Sequence, residues 1–370
     1  MPLAAFYPFL YPGPGVLLGG MIALFACSRV LAAVLPRGPQ AIGMRSLAFF
    51  IPIAAASLIS MLLGRPEIAV GIVFGTSVGA MTTVVGFVAL AGPVGDGPPR
   101  WRRIWPFQLV ASILVLIAGF KGTFGWGDAV ALLVEGLLLL TLWNDRDEPA
   151  TAQSVLDGAW VGVPSTPHDA EMLDYSSVRV ARDGAEVEIT LLILQLLLVA
   201  ALLWFGAWGV TQGTVRSSEM LRGISTSGLA GSIVSMALVL PMMYGTWRQA
   251  DGGRGWMPIT AQIGVVLLNL CALLPVLILI PYLARWVPPI SHWAGDALAP
   301  RGGLPTLLLF PSPMWRIDNV ILLVVGVLLL PVSIGKWRLG REEGMVLLAG
   351  YFFYLTTTLA SGLEHGAGTR

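Results

Sequence analysis

Phe124-Gly125-Trp126-Gly127-Asp128-Ala129 and Leu339-Gly340-Arg341-Glu342-Glu343-Gly344 decide how this 370-residue chain is organised. Each stretch opens an apolar helix, and each carries an acid at the same offset, Asp128 in one and Glu343 in the other. A carboxylate in the first turn complements the exposed N–H groups and the helix dipole. Both acids are therefore read as helix-start devices. Two such starts, one near the end of each half, point to an internal repeat.

Working outward, apolar residues make up 56% of the chain and charged residues 12%, with a mean hydropathy of +0.78. Soluble domains carry about 25% charge, so the apolar surplus has to face lipid. A spanning helix needs roughly 20 apolar residues. The chain divides into about ten such runs: Pro14 to Leu35, Ala41 to Leu63, Ile68 to Pro93, Trp105 to Phe120, Trp126 to Trp143, Val187 to Gly213, Leu221 to Gly245, Met257 to Trp286, Asn319 to Gly335 and Gly344 to Leu363. Trp101, Trp105, Trp126, Trp143, Trp247, Trp256, Trp286 and Trp337 lie at or near run ends, where indole rings anchor at the headgroup level. The expected organisation is a first five-helix repeat over 1–143, an acidic linker over 144–186 and a second five-helix repeat over 187–370. With an odd number of helices per half, the second half enters from the opposite side. The repeats are then inverted, as in secondary transporters that hold their substrate near the bilayer midplane.

Lys and Arg in the loops set orientation. With the N-terminus outside, about 13 basic residues fall inside and about 8 outside. The expectation is an integral protein of a bacterial inner (plasma) membrane, with both termini outside and the linker cytoplasmic. The linker carries Asp145, Asp147, Glu148, Asp157, Asp169, Glu171 and Asp174. It lacks the alternating oxygens and sharp Gly turn of a calcium loop and reads as solvated. A net charge of +1 and the absence of a basic patch exclude nucleic acid as a partner. Cys27 and Cys271 both sit in apolar runs, giving neither a disulfide framework nor a metal site. No cofactor is implied, and no nucleophile with a paired base can be assigned. The chain is not read as an enzyme.

Several motifs resemble the α-repeats of the sodium/calcium exchanger superfamily, the cation/Ca2+ antiporters. Ile42-Gly43 and Gly223-Ile224-Ser225 open the first motif in each half, and Ala230-Gly231-Ser232-Ile233-Val234-Ser235 stands where that motif continues in the second. Gly64 to Gly71 resembles the family's loop into helix 3. Gly75-Thr76-Ser77-Val78-Gly79-Ala80 and Gly264 to Asn269 stand at the second motif, and Arg338 to Gly344 resembles a segment before the last helix. The resemblance implies an all-α integral membrane protein of about ten transmembrane helices in two inverted five-helix repeats. It also implies a cavity between helices 2, 3, 7 and 8, lined by Pro52 to Ser57 and Ser232 to Ser235, against which helices 1 and 6 move.

The departures are as informative as the matches. The family's two motif glutamates fall here on Ala55 (or Ile53) and on Ser235. Ca2+ takes six to eight oxygens, carboxylates among them, so Ca2+ transport is doubtful. The remaining polar groups at motif positions are Ser57, Thr76, Ser77, Ser232, Ser235 and Asn269. They could hold a monovalent cation or a small polar solute, and they also suit plain helix–helix packing. No metal site is assigned. Glu135 lies mid-helix, on a helix that the family's fold keeps away from the ion site, with Arg45 as a conceivable partner. Pro52 marks a probable kink, with an unwound segment there. The chain reads as a cation-antiporter-type secondary transporter with an altered site. The alternative is a non-transporting scaffold or regulatory protein that kept the fold.

Overall fold

The computed structural model describes residues 12–34, 42–94, 99–143, 185–221, 224–250, 256–283, 308–309 and 312–367. The protein is all-α, and its described residues form ten helices. In chain order these are α1 (Pro12–Val34), α2 (Ile42–Leu62), α3 (Pro66–Ala91), α4 (Pro99–Phe120), α5 (Trp126–Trp143), α6 (Ala185–Met220), α7 (226–250), α8 (256–283), α9 (Ser312–Ser333) and α10 (Arg341–Ala367). Two short strands, β1 (Thr123–Phe124) and β2 (Leu308–Leu309), complete the regular structure. Residues 1–137 with 199–370 form one unit. Residues 138–198 form a second, which exposes Leu138, Leu140, Ile193, Leu194, Leu196 and Leu197. The acidic linker falls outside the described residues.

Burial sorts the helices into centre and rim. In α3, 94% of the spanning residues are buried, against 28% in α1 and in α6. The rim exposes large apolar side chains, among them Ile22, Ile117, Phe205, Val327 and Phe353. In water such a surface would drive aggregation, whereas against lipid it costs nothing. Five helices are individually long and apolar enough to cross a membrane, and Ser46–Leu62, Ile104–Phe120 and Ile317–Ser333 are shorter apolar stretches. The protein is an integral membrane protein.

The connections carry the symmetry of the repeat. β1, between α4 and α5, pairs antiparallel with β2, between α8 and α9. Val94, between α3 and α4, bridges Leu339, between α9 and α10. Exchanging helix n with helix n+5 turns each of these pairings into the other. The two opening motifs behave alike as well. The Gly125 N–H donates to Asp128 Oδ2 at 2.9 Å, and the Gly340 N–H donates to Glu343 Oε2 at 2.8 Å. These are the reciprocal half of a capping box, as the first-turn acids led one to expect.

Local chemistry explains the boundaries. α2 ends at Gly64, whose φ of +71° lets the Arg65 N–H reach back to the Ser60 carbonyl at 2.9 Å. Pro66 then starts α3, at a position where its missing N–H is no loss. α6 runs 36 residues, about 54 Å at 1.5 Å per residue, and so extends past a hydrocarbon layer of about 30 Å. Glu186 therefore sits on helix, just before the apolar run that marked its start in the sequence. α2 continues unbroken through Pro52, and the unwound segment expected there is absent.

Candidate functional site

Three helices of the centre contain a π turn: Ala80–Val84 in α3, Ala230–Val234 in α7 and Asn269–Leu273 in α8. Among the described residues there are no others. A π turn inserts one residue into the i→i−4 ladder and recurs at functional sites. In α8 a local cause is visible. Pro275 has no N–H to offer the carbonyl four residues back, at Cys271.

The candidate residues gather on these turns. Asn269, the first residue of the α8 π turn, donates from Nδ2 to Thr76 Oγ1 at 3.2 Å and to Ser77 Oγ at 3.1 Å. One amide thus ties the second repeat to the first. The hydroxyl protons fix its orientation: Thr76 donates to the Ile72 carbonyl at 2.6 Å, and Ser77 to the Val73 carbonyl at 2.7 Å. Both hydroxyl oxygens can then only accept from Asn269, so its NH2 faces them. Asn269 Oδ1 is left buried with no hydrogen-bond partner.

Ser232 and Ser235 lie on the α7 π turn and the residue after it. Ser232 donates to the Gly228 carbonyl at 2.5 Å. Ser235 donates to the Ala230 carbonyl at 2.8 Å, five residues back rather than four because of the π turn, and lies 3.4 Å from the Gly71 carbonyl of α3. Here α3 and α7 cross backbone to backbone. A Cβ on Gly75 would collide with the Gly231 carbonyl oxygen and with Ser235 Oγ. Ser57, on α2, is fully buried, and its Oγ makes no hydrogen bond. The structure therefore joins Thr76, Ser77 and Asn269 directly and sets Ser232 and Ser235 on the adjoining turn. Ser57 makes no hydrogen bond to any of them. Pro52, Ile53, Ala56, Ser57, Ser232, Val234 and Ser235 are buried, while Ile233 is exposed.

In their hydrogen-bonded orientation these groups present oxygen lone pairs with no formal charge. Among the described residues no cluster of three His, Cys, Asp or Glu could hold a metal. Such a donor set suits a weakly charged guest. A divalent ion keeps too much desolvation cost to be met by neutral oxygens alone.

Two buried carboxyls stand close to the π turns. Glu135 on α5 accepts from Cys271 Sγ at 3.8 Å through Oε2, while Oε1 has no partner. Cys271 belongs to the same π turn as Asn269, so α5 reaches the helix that carries the site. The Arg45 side chain falls outside the described residues. Asp318 on α9 is 5% exposed. The apolar run in the sequence suggested that this helix starts at Asn319, one residue later. A charge at the edge of an apolar run reads as a loop residue, and only the longer helix, from Ser312, reveals it as interior.

Residues 15–143 match the family described as Sodium/calcium exchanger protein. The whole chain is similar in fold to the crystal structure of the H+/Ca2+ exchanger CAX, at 12% identity and a TM-score of 0.61, covering 99% of this chain and 90% of that one. It is also similar to the sodium–calcium exchanger NCX_Mj, at 16% identity and a TM-score of 0.53, covering 93% and 98%. No curated protein matches in sequence. The family match thus falls on the first half of the chain, and the chain as a whole is similar in fold to these two exchangers.

Proposed function

We propose that this protein is a secondary transporter of the cation-antiporter type, whose site binds a monovalent cation through neutral oxygens. The observation that carries this reading is the Asn269 amide, which spans the two repeats from one π turn onto Thr76 and Ser77 and leaves Oδ1 free to accept a ligand. Ser57 Oγ is a second free acceptor, and Ser232 and Ser235 add two hydroxyl oxygens nearby. Ca2+ is not the cargo on this reading, because Ala55 (or Ile53) and Ser235 stand at the two carboxylate positions. The halves, 1–143 and 187–370, are the inverted repeats: α2, α3, α7 and α8 form the central cavity, and α1 and α6 move against them. The 144–186 linker and both chain ends keep the orientation set by the basic loops.

One observation favours the second reading, a scaffold that no longer transports. The α3–α7 crossing at Gly75 leaves no room beside Ser235. Proteoliposomes carrying opposed Na+, K+, H+ and Ca2+ gradients separate the two. A transporter moves at least one monovalent cation, and the flux falls in Asn269→Ala and Ser235→Ala. Absence of flux under every gradient, in protein that is folded and inserted, favours the scaffold.

A further inference from the structure

Asp318 is a buried carboxyl outside the motif helices, and it does not stand alone. Its carboxyl meets the Tyr354 hydroxyl of α10, and Tyr354 Oη lies 3.3 Å from the carbonyl of Gly231, inside the α7 π turn. One turn earlier on the same face of α10, Tyr351 stacks on Tyr354 with ring centroids 5.8 Å apart. Its hydroxyl faces Thr83, inside the α3 π turn. Two tyrosines on α10 thus touch the π turns of both repeats, and one of them also touches Asp318.

This cluster is incompletely bonded. Asp318 Oδ1, Thr83 Oγ1 and Tyr351 Oη are buried without a hydrogen bond of good geometry, in residues 5%, 4% and 2% exposed. Buried polar atoms are normally satisfied, and those that are not call for an explanation such as an absent proton or small guest. Among the described residues the titratable group that faces Asp318 is Tyr354, with Tyr351 stacked on it. The charged residues of α3 and α4 are confined to their first turns, at Glu67 and at Arg100, Arg102 and Arg103. Where α4 meets α9, the polar contacts are the neutral Gln108, Ser112 and Asn319. Among the described residues no cation neutralises the carboxylate.

We propose that Asp318 is a proton-binding site whose occupancy is read by the α7 π turn through Tyr354. Tyr354 has one hydroxyl proton to place between the Asp318 carboxyl and the Gly231 carbonyl, and its oxygen also meets the Thr358 hydroxyl. When Asp318 is ionised, Tyr354 donates to the carboxylate and the Gly231 carbonyl loses its partner. When Asp318 takes up one proton, its own O–H donates to the Tyr354 oxygen, and Tyr354 turns its proton to Gly231. One proton is gained as one new O–H bond, the Asp318–Tyr354 hydrogen bond reverses direction, the Gly231 carbonyl gains a donor, and no other covalent bond changes. Gly231 lies one residue from Ser232 and four from Ser235, so the switch acts on the segment that carries the candidate cation ligands. Its role in coupling rests on the transporter reading, whereas proton binding itself does not.

Infrared difference spectra of the purified full-length protein in lipid nanodiscs, recorded between acid and alkaline buffer, test this directly. A protonated-carboxyl band should appear on acidification, persist in Glu135→Gln and vanish in Asp318→Asn. In Tyr354→Phe the band should remain while the accompanying amide I change is lost. Asp318→Glu should restore a shifted band, which excludes misfolding as the cause of loss in Asp318→Asn. A band unaltered by Asp318→Asn, or no carboxyl titration at all, overturns the proposal. If the band titrates as expected while proteoliposomes show no flux, the proton site stands and the transporter reading falls.

Discussion

Replacing Gly75 with alanine tests whether the α3–α7 crossing is the fixed point of the protein. The added Cβ would meet the Gly231 carbonyl oxygen, Ser235 Oγ and Ser235 Cβ. The first of these is backbone within a π turn, so no rotamer change can relieve the contact. Overpacking of this kind costs about 1–3 kcal/mol, occasionally more, and a rigid partner puts Gly75→Ala at or above the top of that range. The helices can yield only by separating. Thr76 follows Gly75, and its contact with Asn269 is already 3.2 Å, so a shift of about half an ångström takes it beyond hydrogen-bonding distance. Reversible unfolding in mixed micelles, followed by Trp fluorescence, would measure the loss. Gly19→Ala is the control, because a Cβ there meets nothing within 4 Å and helix propensity favours Ala by about 0.5–1 kcal/mol. Equal stability of the Gly75→Ala and Gly19→Ala variants would refute the close crossing.

Asn269→Leu removes both hydrogen bonds of Asn269 to the first repeat and leaves the Thr76 and Ser77 oxygens without a donor, which should cost about 1–3 kcal/mol in the same unfolding assay. Ser57→Ala removes a buried hydroxyl with no partner, so stability should hold or rise while cation flux drops. A fall in stability would mean that Ser57 is bonded. Asp128→Asn and Glu343→Gln keep the geometry of the two helix starts but discharge them. Each should cost ~0.3–1 kcal/mol, with Asp128→Asn the larger because it also loses the ion pair to Lys121 at 3.1 Å, and no loss at either position would count against the shared helix-start role.

Much of the fold was legible because the membrane imposes a simple rule. Every helix must hide its own backbone, so length and hydropathy locate the spans, and the ten runs correspond to ten helices. The paired starts at Asp128 and Glu343 were equally legible, since capping is local chemistry. The π turns were not. They depend on how α3, α7 and α8 pack, and apart from Pro275 no local residue announces them. Thr76, Ser77 and Asn269 were found by motif position, but their mutual hydrogen bonds come from tertiary contact between repeats almost two hundred residues apart. Asp318 was passed over because a single charge beside an apolar run reads as a boundary. Nothing in the sequence sets Tyr351 and Tyr354 apart, and it is the packing of α10 against α3 and α7 that buries them.

Equilibrium binding of radioactive Na+ to the purified protein, with K+ and Ca2+ as competitors, tests the central claim most directly. Saturable Na+ binding that is displaced by excess Na+ or K+, insensitive to comparable Ca2+ and lost in Asn269→Ala is the expected result. Binding dominated by Ca2+, or Na+ binding untouched by Asn269→Ala, would contradict a monovalent site built from neutral oxygens.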